Sequence, residues 1–135
     1  RFVKNFPRLP ESVRSRLTLE NDDKGSMYSV KDLYYGIYKK IGIPIVFDYH
    51  HHQFCTGGMS EQEALEMALS TWGDIKPVTH YSESRRDEQE DKTIRVQAHS
   101  DYVYDKIEMY GNDFDIMVEA KAKELAVDRY LKIHS

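Results

Sequence analysis

Short apolar runs alternate with amphipathic segments along this chain, and polar turns separate the two kinds of segment. Residues 43–48 form a run rich in β-branched side chains that ends in an acid, which is typical of a buried strand. Similar but weaker patterns predict further strands at residues 16–20, 77–80 and 114–119. In the predicted strand at 43–48, Asp48 shares one face with Val46, while Ile45 and Phe47 take the face that packs on helices.

The segments between the strands have a helical period of 3.6 residues and recognisable start and stop signals. Ser29 with Asp32, and Ser60 with Glu63, have the spacing of capping boxes, and Gly42 and Gly73 follow the last apolar positions. Further helices are predicted from Ser100 or Asp101 to 110 and at 120–133, after a helical turn at 11–16. The segment 83–92 has no apolar residue and is predicted to be a mobile, solvated loop.

Strands that alternate with amphipathic helices predict parallel strand pairing and an α/β fold. Four such strand-helix units would make half of a (β/α) barrel of the TIM type, which needs about 250 residues when complete. The chain has 135 residues and begins without Met, so we expect residues 1–135 to be a single partial domain, the C-terminal half of an eight-stranded barrel. A small open α/β sheet is the alternative, but the sequence has no glycine-rich phosphate loop.

Composition narrows the function classes only a little. The formal net charge of −4 argues against a freestanding nucleic-acid binder, unless bound cations add positive charge to the site. The single cysteine, Cys55, cannot form an internal disulfide, and this favours a cytoplasmic protein. No apolar run is long enough for a membrane span, so no membrane partner is expected.

Each predicted strand ends in a side chain that can bind a metal, namely Glu20, Asp48, His80 or Glu119. Alternation along the strands places all four on the face opposite the helices, at the carboxyl ends where barrel enzymes keep their active sites. His51 and His99 follow the second and third strands closely enough to join them. Carboxylates mixed with imidazoles suit Mn²⁺ or Zn²⁺, and bridging carboxylates favour a polynuclear cluster.

The residues that flank these candidates are given lesser roles. His50 and His52, on either side of His51, are interpreted as neighbours of the ligands or as surface groups. Asn21, Asp22 and Asp23 follow Glu20 and are interpreted as turn formers around it.

Five motifs, in the order LTLENDD, FDYHHH, KPVTHYS, AHSDYV and MVEAK, resemble the strand-end motifs of the UV damage endonucleases. The resemblance covers essentially the whole chain and corresponds to the C-terminal half of that family, which is related to endonuclease IV. It implies that Glu20 bridges two metals, that Asp48, His80 and Glu119 hold them, and that His51 and His99 hold a third. It also implies a Mn²⁺-dependent enzyme that incises damaged double-stranded DNA immediately 5′ of a UV photolesion, with Glu20 and Glu119 essential for catalysis.

The chain departs from this family pattern at several points. Some members carry a modified lysine where this chain has Val78, and endonuclease IV has an aspartate where it has Gln97. The remaining ligands and the lesion-probing residues belong to the N-terminal half of the family. We therefore expect the isolated chain to be inactive and to associate with the missing half or with itself. A metal-dependent sugar isomerase and a non-catalytic half-barrel stay open as alternatives.

Overall fold

The structure, a computed structural model, describes residues 1–134. Its strands are β1 (Leu19–Glu20), β2 (Ile45–Asp48), β3 (Val78–Tyr81) and β4 (Asp115–Val118). All neighbouring strands pair in parallel, in the order β1-β2-β3-β4. The predicted α/β class with a parallel sheet is thus confirmed.

The helices that alternate with the strands differ widely in length. The short ones are α1 (Phe2–Asn5), α2 (Glu11–Arg14), α3 (Val30–Leu33), α4 (Lys39–Ile41), α5 (Tyr49–His52) and α7 (Arg85–Gln89), and the long ones are α6 (Glu61–Leu69) and α8 (Glu124–His134). A π-helical turn, Tyr34–Tyr38, joins α3 to α4, so the helix predicted before Gly42 is continuous. None of the helices within residues 1–134 combines the length and apolar character that a membrane crossing requires.

Strand β2 is the centre of the core, because all four of its residues are buried. Ile45 and Phe47 are wholly inaccessible and pack with Ala64, Leu65 and Ala68 of α6, on the face predicted to meet helices. The 3₁₀ turn after α6 also fixes the start of β2. Its Thr71 hydroxyl accepts a hydrogen bond from the Ile45 N–H, and the Trp72 indole donates one to the Ile45 carbonyl.

The two capping boxes predicted from the sequence, Ser29 with Asp32 and Ser60 with Glu63, are present in the structure. The hydroxyls of Ser29 and Ser60 each accept a hydrogen bond from the backbone N–H three residues on, and the side chains of Asp32 and Glu63 accept one in return. Gly42 ends its helix in the left-handed conformation at φ 73°. Local signals in the sequence therefore set the first turn of both helices that precede β2 and β3.

The prediction of a helix from residue 100 to 110 is wrong, because the backbone of that segment is irregular. Carboxylates of the preceding segment bind its backbone N–H groups and compete with helix formation. The Glu83 carboxylate accepts hydrogen bonds from the backbone N–H groups of Tyr104 and Asp105. The Glu88 carboxylate accepts hydrogen bonds from those of Asp101 and Tyr102. Val103 and Ile107 are buried, as the pattern predicted, but from an irregular backbone.

The same contacts correct the prediction for residues 83–92. This segment contains helix α7 instead of a wholly solvated loop. The chain before α7 is anchored as well, because Ser84 pairs with His99 in an isolated antiparallel bridge. Two of the acidic side chains of this segment, Glu83 and Glu88, therefore have a structural role, because they bind backbone N–H groups within residues 101–105.

The last helix begins at Glu124 instead of residue 120. Before it, the N–H groups of Lys121 and Ala122 donate to the carbonyls of Ser100 and Asp101, which holds the chain against the segment that follows His99. Ala126 is buried as predicted, whereas Leu125 and Ile133 are more than half exposed. The apolar face predicted for this helix is thus only partly covered within the chain.

Candidate metal centre

The register of the sheet determines which strand ends meet. Asp48 of β2 lies directly opposite His80 of β3. Glu20 is opposite Val46, two residues before Asp48, and His80 is opposite Met117, two residues before Glu119. The four side chains predicted as ligands therefore emerge at the carboxyl end of the sheet from four adjacent strands.

These four side chains converge. Glu20, Asp48, His80 and Glu119 each offer one ligand atom, and these atoms lie within 4.8 Å of one another. His80 Nδ1 is 3.1 Å from Glu20 Oε1 and 3.3 Å from Glu119 Oε1. The imidazole thus lies between the carboxylates of the first and last strands.

Asp48 is the most enclosed member of the cluster, with 1% of its surface exposed. Its Oδ1 accepts the backbone N–H of His51 and so caps the first turn of α5. The side chain of the buried Asn21 fixes the backbone of Asp48 with two hydrogen bonds. Its Oδ1 accepts one from the Asp48 N–H at 2.8 Å, and its amide group donates one to the Asp48 carbonyl at 3.0 Å. Asn21, interpreted from the sequence as a turn former, is therefore a positioning residue.

The cluster perturbs the pKa values of its own members. Burial, reinforced by the neighbouring Glu20 carboxylate, raises the pKa of Asp48 to about 7. Burial acts on Glu20 in the same direction, but hydrogen bonds with His80 and Asp48 outweigh it and lower the pKa of Glu20. The hydrogen bond to Glu20 raises the pKa of His80. In the metal-free protein, burial and the neighbouring Glu20 carboxylate thus favour the protonated form of Asp48.

His51 lies beside the cluster. Its Nδ1 is 2.7 Å from the carbonyl oxygen of Asn21 and within 4 Å of carboxylate oxygens of Glu20 and Asp48. Because a carbonyl only accepts, Nδ1 carries the proton in this contact and Nε2 keeps its lone pair. A backbone carbonyl that fixes the tautomer in this way is a common support for a metal-binding histidine.

His99 is at the periphery of the cluster, with its Nε2 4.0 Å from Glu119 Oε2. Together with Glu119 it lines a cavity of about 450 Å³ between two segments of the chain, whose other lining residues are Gln97, Ala98, Ala120 and Lys121. His50 and His52 are both buried instead of on the surface. His50 packs edge-on against Phe54 with His99 6.2 Å away, and His52 packs on Phe47.

The chemistry of the cluster fits a divalent transition-metal ion. Three carboxylates and an imidazole on converging atoms supply the mixed oxygen and nitrogen donors that Mn²⁺ or Zn²⁺ accepts. A cation among these groups would favour the ionised form of Asp48, against the burial and the neighbouring Glu20 carboxylate that raise its pKa.

Comparison with known proteins points to one family. The UV-damage endonuclease of Schizosaccharomyces pombe is 40% identical over 134 residues, which cover 94% of this chain and 22% of that protein. The UV DNA damage endonuclease of Bacillus pumilus is 36% identical over 146 residues, covering 98% of this chain and 42% of that protein. The crystal structure of SacUVDE superposes with a TM-score of 0.80 at 31% identity, covering 98% of this chain and 44% of that one.

The chain thus spans less than half the length of each of these proteins. The sequence model described as UV-endonuclease UvdE matches residues 1–134, which is nearly the whole chain. The resemblance of the strand-end motifs is confirmed by this match, and the chain belongs to the UV-endonuclease UvdE family.

Proposed function

We propose that this chain forms part of a metal-dependent DNA repair endonuclease that incises the backbone 5′ of UV photolesions. The observation that carries the proposal is the convergence of Glu20, Asp48, His80 and Glu119 within 4.8 Å at the ends of four parallel strands, in a member of the UvdE family. The relatives are named as UV damage endonucleases, which gives the class of reaction.

Residues 1–135 are proposed to form a single partial domain, the C-terminal half of a TIM-type barrel. Four parallel strands in sequence order agree with half of such a barrel, and the shares of the relatives that the chain covers agree with a partial domain. The other half of the barrel would complete the wall that receives damaged double-stranded DNA and would add the remaining ligands.

Glu20, Asp48, His80 and Glu119 would hold a polynuclear Mn²⁺ or Zn²⁺ centre, and His51 and His99 would hold a further ion. Such ions lower the pKa of a bound water and stabilise the charge that develops on the leaving oxygen of a phosphodiester. Glu20, whose carboxylate lies 3.1 Å from His80, would be the ligand shared by two ions. With its Nδ1 against the Asn21 carbonyl, His51 would offer Nε2 to the further ion.

The geometry also suits the substrate. A concave carboxyl end of a barrel can receive a bent duplex, and damaged base pairs are easier to unstack than intact ones. Selectivity for lesions would then come from the deformability of the DNA instead of from its sequence.

The test is a nicking assay on UV-irradiated and unirradiated plasmid, with the complete protein that contains this chain. We expect Mn²⁺-dependent nicking of the irradiated plasmid only, with the cut mapped 5′ of the lesion on a defined duplex. Failure to nick irradiated DNA, together with metal-dependent conversion of a ketose to an aldose, would favour the sugar isomerase instead.

A further inference from the structure

The cavity lined by His99, Glu119 and Lys121 lies next to the metal cluster, and no ligand has yet been assigned to it. The cluster itself contributes three carboxylates and the formal net charge of the chain is −4, whereas the substrate of the proposed function is a polyanion. Positive charge close to the ligands, in addition to that of the bound ions, would attract a phosphate of the substrate backbone to this site.

Lys121 supplies a positive charge in that position. It follows Glu119 by two residues, and its backbone N–H donates to the carbonyl of Ser100, next to His99. Its backbone is therefore fixed between the two ligand-bearing segments, while its exposed side chain lines the cavity on a flexible four-carbon stem.

The ammonium of Lys121 takes part in none of the ion pairs formed within residues 1–134. Two other basic residues contact the segment after His99, and both are already engaged. Arg85 is paired with Asp101 at 2.8 Å, and Arg129 lies over the rings of Tyr102 and Tyr104. The two small side chains of Ala98 and Ala120 leave the cavity open between the segments. Positive charge and free space thus coincide beside His99 and Glu119.

We propose that this cavity is a subsite for one phosphate of the substrate backbone, adjacent to the scissile phosphodiester, and that Lys121 is its cation. The inference rests on the proposed function and extends it by naming a substrate contact made by this chain. Because the contact is to phosphate, it adds affinity without reading the base sequence.

The test compares Lys121→Ala, Lys121→Arg and the control Lys40→Ala in the complete protein. Lys40 is exposed and lies on α4, which precedes β2 and so is at the opposite end of the sheet from the cluster. Binding to a duplex with one photolesion is measured by fluorescence anisotropy in EDTA over a series of salt concentrations. Lys121→Ala is expected to weaken binding about fivefold to tenfold and to reduce the slope of log K against log salt by about 0.9.

Lys121→Arg should restore both the affinity and the slope, and Lys40→Ala should match the parent protein. In the nicking assay with Mn²⁺, Lys121→Ala should raise KM and leave kcat nearly unchanged. Equal affinity and slope for Lys121→Ala and Lys40→Ala would overturn the subsite, as would a loss confined to kcat. If the parent protein binds DNA but does not nick irradiated plasmid, the endonuclease proposal fails, and the binding comparison still decides on the phosphate contact.

Discussion

The side-chain amide of Asn21 brackets the peptide backbone of Asp48 with two hydrogen bonds, of 2.8 and 3.0 Å. Strand β1 ends one residue earlier, at Glu20, so the Asn21 side chain continues the pairing that the backbone no longer provides. The Asn21 carbonyl meanwhile accepts from Nδ1 of His51. One buried residue therefore positions two of the candidate ligands.

We predict that Asn21→Ala lowers both the stability of the protein and its affinity for metal. The substitution removes two hydrogen bonds and leaves a buried N–H and carbonyl of Asp48 without partners, which costs about 2–4 kcal/mol of unfolding free energy. Metal affinity should fall roughly tenfold to a hundredfold, as expected when a residue that orients ligands is lost. Denaturant unfolding and titration with Mn²⁺ measure the two effects.

Asn5→Ala, at an exposed position of α1, is the matched control and should leave both quantities unchanged. If the Asn21→Ala variant had the same unfolding free energy as the parent protein, water would replace the lost contacts and Asn21 would not position Asp48.

Glu20→Gln and Glu119→Gln are each predicted to abolish incision by the complete protein while the fold is retained. The amide keeps the size of the side chain but removes the negative charge that would hold a cation next to His80. We expect at least a thousandfold loss of nicking on irradiated plasmid, about 4 kcal/mol of transition-state stabilisation, with an unchanged far-ultraviolet circular dichroism spectrum. Retained incision in either purified variant would contradict the assignment.

The pKa of Asp48 predicts how the stability of the metal-free protein depends on pH. The folded state raises this pKa from 3.8 to about 7, so the native protein binds the proton more tightly than the unfolded chain. The stability that this proton contributes is fully present below about pH 4 and is lost as the pH rises through about 7. Asp48→Asn removes the titration and retains the shape of the side chain.

In EDTA at pH 8, Asp48→Asn should therefore be more stable than the parent by an amount on the order of 4 kcal/mol, and near pH 4 the two should be alike. Thermal unfolding at both pH values gives the comparison. Added Mn²⁺ should reverse the order at pH 8, because only the parent keeps the carboxylate. An Asp48→Asn variant less stable than the parent in EDTA at pH 8 would mean that burial and the Glu20 carboxylate do not disfavour the ionised form of Asp48 as described.

The sequence allowed the four strands and the residues at their ends to be predicted, because both depend on local patterns. Alternation placed Ile45 and Phe47 against helices, and Asp48 on the opposite face, as the structure has them. Parallel pairing then required the strand ends to meet at one edge, so Glu20 and Glu119 could be placed together although 98 other residues separate them in sequence.

Features that depend on long-range hydrogen bonds were not predictable in the same way. The spacing of Val103 and Ile107 is helical, but carboxylates from Glu83 and Glu88 take the N–H groups that a helix would start from. Asn21 has the sequence signature of a turn, and only the register of β1 against β2 shows that it reaches Asp48. In the LENDD motif, Asn21 looks like the turn formers that follow it, so the motif alone did not separate the two roles.

Glu88 is predicted to stabilise the irregular segment 100–105. Its carboxylate accepts the N–H groups of Asp101 and Tyr102 and the hydroxyl of Tyr104. Glu88→Ala should destabilise the protein by about 2 kcal/mol and accelerate amide hydrogen exchange at Asp101 and Tyr102. Asp87→Ala, which removes the exposed carboxylate one residue earlier, is the control and should leave that exchange unchanged. Equally fast exchange in the two variants would refute the anchoring role.

The last prediction concerns the isolated chain, which we expect to associate and not to cut DNA. Met117 is 55% exposed on β4, on the face of the sheet that also carries the metal cluster, and in a complete barrel this face would be enclosed. Exposed apolar surface on an open sheet is usually covered by a partner, so the missing half or a second copy should bind there. Light scattering of the isolated chain should give a mass above the 15.9 kDa of one copy, and the nicking assay should show no incision.

Two charge substitutions test where the partner binds. Met117→Lys places an ammonium in the face to be covered, so it should shift the isolated chain toward the monomer by at least tenfold in dissociation constant. Ile75→Lys introduces the same charge at another exposed apolar position, in the turn that precedes β3, and should leave association unchanged. Equal effects of the two substitutions would place the contact elsewhere. A monomeric chain that incises irradiated DNA in Mn²⁺ would show that residues 1–135 need no partner, and the half-barrel proposal would then be wrong.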